Sequence, residues 1–156
     1  MKQIVALVLA AALGAPAFGQ SAPVVGETVA GLELVEDRTV IFEPAAEGRM
    51  KVISVVDKNP HAPMPRNKGQ VAVTMNYARE IGTVVEFNSG LDYDFSYSAL
   101  SVAADADDPA KVSIVPIPSC PVRGDAVASD QWPQPYRRIV ITRLERYTGP
   151  ATCTAS

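Results

Sequence analysis

Tyr93-Asp94-Phe95-Ser96-Tyr97-Ser98 alternates aromatic and polar side chains at every step. Successive side chains of a β-strand point to opposite faces, so an extended chain here puts three rings on one side and three polar groups on the other. Wound as a helix, the same rings would scatter around the axis. The pattern recurs. Val71, Val73, Met75 and Tyr77 share one parity, while Ala72, Thr74 and Asn76 share the other. Val84–Asn88, Val52–Val56, Thr39–Phe42 and Val112–Val115 are short β-branched or aromatic runs bounded by Pro, Asp, Asn or Gly. Leu32 and Leu34, with Val29, read as an early strand, and Arg138–Thr142 as a late one extending toward Tyr147. Asn88–Asp92 supplies turn residues, so residues 83–100 are predicted to form a β-hairpin. No segment has the length and apolar spacing of a helix, although Met75–Ile81 has room for one helical turn.

Seven or eight short strands in 156 residues predict an all-β fold. The expected form is an antiparallel β-sandwich of immunoglobulin-like type, with a small β-barrel as the alternative. Strand count carries that expectation. The Cys-Trp-Cys arrangement of antibody domains is missing, because Trp132 falls in a proline-rich stretch between Cys120 and Cys153. Prolines number 13 against 10 glycines, and they concentrate in residues 58–69 and 116–136. Proline removes a ladder donor and holds φ near −65°, so both stretches are predicted as loops.

The N-terminus reads as an address. One positive charge, Lys2, precedes the apolar run Ile4–Leu13, and small residues follow through Gly19. This is the pattern of a secretory signal peptide over residues 1–19, with cleavage before Gln20; a cut before Phe18 also fits. The apolar run is shorter than the roughly twenty residues that span a bilayer. Residues 20–156 then form a single secreted domain with no transmembrane segment. Lys2 is the only charge in the leader, so its removal takes the net charge from −3 to −4. The expected location is a bacterial periplasm or the exterior. No Asn-x-Ser/Thr sequon occurs.

Export gives the cysteines a reading. Two cysteines in an oxidising compartment are expected to pair, so Cys120 and Cys153 are predicted to form a disulfide. Closing that loop removes about 4 kcal/mol of unfolded-chain entropy on the usual model.

Catalytic chemistry finds little footing. The chain has a single His and no Gly-x-Ser-x-Gly, Cys-x-x-Cys or phosphate-binding glycine loop. Paired carboxylates such as Asp92 and Asp94 leave a carboxylate-based hydrolase as one alternative. His61 and Met64 lie three residues apart and could ligate copper(I), which makes a periplasmic copper carrier a second alternative. Otherwise no metal and no cofactor is expected. Asp105-Ala106-Asp107-Asp108 lacks the Gly and Glu of a calcium loop.

The leading expectation is a non-catalytic exported protein that binds or assembles with another cell-envelope component. Trp132-Pro133-Gln134-Pro135-Tyr136 is stiff and amphipathic, and Arg137 and Arg138 follow it. Trp132, Tyr136, Arg137 and Arg138 are therefore the candidate partner-binding residues. Arg143 and Arg146 extend the basic cluster, but a pI near 5.1 argues against nucleic acid. Oligomeric state is not encoded in any motif. Export has a direct check: the intact mass of the chain from envelope or medium should match a start at Gln20 or Phe18. Full-length chain retaining Met1 in the cytoplasm would overturn it.

Overall fold

The structure is a computed structural model that describes residues 23–59, 61–104, 111–150 and 153. The signal-peptide reading and the Asp105–Asp108 turn lie outside the described residues. Every alternating run contributes to a strand, the Tyr93–Ser98 run from Phe95 onward. In chain order these are β1 (Thr28–Val29), β2 (Gly31–Val35), β3 (Arg38–Pro44), β4 (Met50–Asp57), β5 (Val71–Ala78), β6 (Gly82–Ser89), β7 (Phe95–Ala104), β8 (Val112–Ile117), β9 (Val127–Trp132) and β10 (Arg138–Arg146). A short 3-10 turn, Ala46–Gly48, joins β3 to β4.

The strands make two antiparallel sheets. Six pair in the order β1-β4-β3-β5-β6-β9, and four in the order β2-β10-β7-β8. The sheets do not close into a barrel, so the fold is a β-sandwich. Register explains why. Val55, Val40, Val73, Phe87 and Ala128 lie opposite one another across five strands and face inward. The adjacent row, Val56, Thr39, Thr74, Glu86 and Ser129, faces outward. The four-stranded sheet buries Leu32 and Leu34 of β2, Ile139 and Ile141 of β10, and Phe95, Tyr97 and Ala99 of β7. Phe87 meets Phe95 edge-on with ring centroids 6.1 Å apart, and meets Tyr97 at 4.9 Å. Such ring pairs add stabilisation beyond their buried area.

Two expectations change. The segment 83–100 does form strands β6 and β7, but they do not pair as a hairpin. β6 pairs with β5 and β9, whereas β7 pairs with β10 and β8. Residues 90–94 carry the chain from one sheet to the other, which sets Phe87 of β6 against Phe95 and Tyr97 of β7 across the core. The second change is β9, which lies inside the predicted loop 116–136. Its sequence, Val-Ala-Ser-Asp-Gln-Trp, turns an aspartate and a tryptophan inward, so its alternation is not apolar against polar.

The other proline-rich stretch is a crossover. β4 and β5 both run antiparallel to β3, so they are parallel to each other and the chain must travel back along the sheet between them. A strap that includes residues 58–59 and 61–70 lies over the outer face. Lys58 Nζ donates to Asn76 Oδ1, Asn88 Nδ2 donates to Met64 O at 2.8 Å, and Arg66 Nε donates to Asn88 Oδ1 at 2.6 Å. The Gly69 amide donates to Gly90 O at 2.8 Å.

Gly82 opens β6 with φ at +96°, and a Cβ there would sit 2.0 Å from the Trp132 carbonyl oxygen. Gly69 has φ at +78° with nothing within 4 Å. Gly69→Ala should therefore cost only the left-handed penalty, about 1–2 kcal/mol. Gly82→Ala should cost clearly more, because β6 and β9 must part, and thermal melts of the two variants should separate by several degrees. Equal melting temperatures would show that the close approach does not exist.

Candidate functional site

Two prolines and two aromatics in residues 132–136 determine how the β9–β10 connection can bend. Trp132 shares the inward parity of Asp130, and it is only 6% exposed. Its indole Nε1 donates to Pro118 O at 2.8 Å. The Tyr136 ring packs against it, edge to face, with centroids 6.3 Å apart. Thr83 holds the connection from below: its hydroxyl donates to Gln134 O at 2.7 Å and accepts from the Tyr136 amide at 2.8 Å. Trp132 is thus a core residue that supports Tyr136 and is not itself an exposed anchor.

That support shapes a notch at one end of the sandwich. Glu36 from the β2–β3 turn, Tyr77 from the end of β5, and Pro135, Tyr136 and Arg137 line a concavity of about 430 Å³. Tyr77 has the inward parity of its strand, but it projects past the end of the core and is 44% exposed. Sequence reasoning singled out Tyr136 and Arg137 but missed Tyr77 and Glu36. Tyr77 reads locally as one more core position of β5, and only the end of the opposing sheet uncovers it.

Arg138 points elsewhere. On β10 it faces outward beside β2 and forms a two-pronged ion pair with Glu33, Nε to Oε1 at 2.7 Å and Nη2 to Oε2 at 2.9 Å. That carboxylate holds the guanidinium pKa above its usual value. Arg146 lies over the Tyr93 ring, 4.3 Å from its centroid. The basic cluster of the sequence is therefore dispersed over the surface.

Cys120 and Cys153 are disulfide-bonded. Their sulfurs lie within 4.8 Å of an Asp130 oxygen, the one such His/Cys/Asp/Glu grouping among the described residues. The sulfurs are bonded to each other, so no thiolate is there to ligate a metal. Asp130 has another task. Its Oδ2 accepts from the Tyr97 hydroxyl of the opposite sheet and, at 2.9 Å, from the Cys120 amide. Burial pushes the Asp130 carboxyl up, opposed by these two hydrogen bonds. Burial also raises Tyr97, with the Asp130 charge acting in the same direction, so the phenol stays neutral and donates.

His61 is exposed, and its amide donates to Asn59 Oδ1 at 3.0 Å. Met64 is half-buried and lines a cavity of about 400 Å³ beneath the strap, a lining that does not include His61. Asp92 and Asp94 lie in the loop before β7, not on a strand, and Asp94 Oδ1 accepts from the Gly124 amide at 2.9 Å. No family model, no characterised protein and no solved structure matches this chain.

The Asp130 link makes a pH prediction. A carboxyl whose folded pKa is raised binds its proton more tightly folded than unfolded. Its contribution favours folding below the unfolded pKa and is lost as pH rises through the folded one. Asp130→Asn keeps an acceptor for Tyr97 and Cys120 without the charge. Its stability relative to wild type, read from urea midpoints, should therefore improve as pH is raised from about 4 to 7. A difference independent of pH, or of opposite slope, would show that Asp130 is not held against its charge.

Proposed function

We propose that this protein is an exported, non-catalytic β-sandwich that binds another component of the cell envelope through the notch of Glu36, Tyr77, Pro135, Tyr136 and Arg137. The observation that carries the reading is the make-up of that notch. Tyrosine and arginine dominate binding hot spots, because they combine large rigid surface with directed hydrogen bonding. Here two tyrosines and a proline line one small concavity, with an arginine and a glutamate alongside them. The prolines and the Trp132–Tyr136 packing hold it in shape, so little ordering entropy remains to be lost on association. A disulfide, and the absence among the described residues of any helix long and apolar enough to cross a membrane, support export.

A photo-crosslinking residue at Pro135, in cells of the native host, tests this. A discrete adduct to one other envelope component is expected, with none from the same probe at exposed Lys51 on β4. Tyr77→Ala combined with Arg137→Ala should lower the adduct yield about tenfold, in line with the loss of one hot spot. Equal adducts from both positions, or none from Pro135, would overturn the proposal.

A further inference from the structure

The outer face of the four-stranded sheet holds an open groove of about 790 Å³, which shares no lining residue with the notch. Register places its parts. Ser98 of β7 lies opposite Thr142 of β10, and Leu100 lies between Val140 of β10 and Pro116 of β8. All have outward parity, since Tyr97, Ala99, Ile139 and Ile141 face the core. Leu100 and Pro116, continued by Pro118, give the groove an apolar floor. The Ser98 and Thr142 side chains bring two hydroxyls together at one end.

Arg143 completes that end. The β10 ladder breaks register between Thr142 and Glu145, and Arg143 takes a left-handed conformation, φ +52°. A non-glycine residue holds that conformation at a cost, and such positions concentrate where a side chain must be aimed. The guanidinium makes no hydrogen bond or ion pair among the described residues, in contrast to Arg138 with Glu33 and Arg66 with Asp125. No carboxylate lines the groove. Its chemistry is therefore a cation and two hydroxyls at the head of an apolar track.

We infer that this groove binds a single-chain anionic amphiphile of the fatty-acid type. Arg143 and the hydroxyls of Ser98 and Thr142 take the carboxylate, and Leu100, Pro116 and Pro118 take the methylenes. A guanidinium matches a carboxylate with two parallel hydrogen bonds, and the bulge turns it toward the head of the track. A cationic head would meet Arg143 as a like charge, and a neutral head would leave it without a counter-charge.

The test uses laurate below its micellar concentration, titrated into the mature chain by calorimetry and followed by the amide resonances of Ser98, Leu100 and Thr142. Saturable one-to-one binding is expected, at least about tenfold tighter than that of dodecyltrimethylammonium or dodecyl maltoside, which carry a chain one methylene longer on cationic and neutral heads. Acetate should not saturate. Arg143→Gly suits the left-handed backbone, so it should fold at least as stably as wild type yet lose about tenfold in laurate affinity. Arg143→Lys should restore part of that loss, and Tyr77→Ala in the notch should leave laurate binding unchanged. No saturation, equal affinity for the three heads, or wild-type affinity in Arg143→Gly would each overturn the inference.

Discussion

Phe87 lies against Phe95 and Tyr97 across the space between the two sheets, and the rest of the architecture depends on that contact. A sheet with one apolar face is unstable in water until a second face covers it. β6 and β7 are consecutive in the chain, and pairing them within one sheet would leave those rings on a common, uncovered surface. Sending β7 into the opposite sheet buries them against each other. After the switch at residues 90–94, β8 pairs with β7 in the second sheet, and β9 returns to β6 in the first.

Once the layers face each other, the edge they share must be closed. Asp130 does this by reaching from β9 to Tyr97 on β7 and to the Cys120 amide on the β8–β9 connection. A carboxylate is costly to bury, but its two hydrogen bonds offset part of that cost, and each donor would be stranded without it. The disulfide reinforces the same edge by fixing Cys120 to the C-terminal segment. Trp132 follows Asp130 on the inward side of β9 and carries the β9–β10 connection over the end of the core.

Proline shapes both long connections, with different results. In residues 61–70 it stiffens a strap that covers the polar side chains of Thr74 and Asn88, which explains why threonine and asparagine are buried on an outer face. In residues 133–137 it holds Tyr136 and Arg137 beside Tyr77. Binding surfaces on loops work best when the scaffold removes their freedom. The notch has that support from the Thr83 hydrogen bonds, and the groove on the other sheet has it from the strands themselves.

Much of this was legible in residue order. Period two marked the strands, the cysteine count and export pattern pointed to the disulfide, and proline density located the strap. These are local signals, because the direction of a strand side chain depends only on its neighbours in the chain. Pairing is not local. Nothing in Val84–Asn88 or Tyr93–Ser98 says that they belong to different layers, and Val127–Trp132 hides its strand because its inward residues are an aspartate and a tryptophan. The same limit governs the sites. Tyr136 and Arg137 stood out as neighbours in sequence, whereas Tyr77 and Glu36 join them only where the sandwich ends. Arg138 and Arg143 belong to one basic cluster in the sequence. The ladder gives the first a partner in Glu33, and a bulge turns the second toward an apolar groove. The sequence by itself determined which face each side chain would take. Tertiary structure alone decided what that face would meet, because register and sheet order are set by burial summed over contacts far apart in the chain.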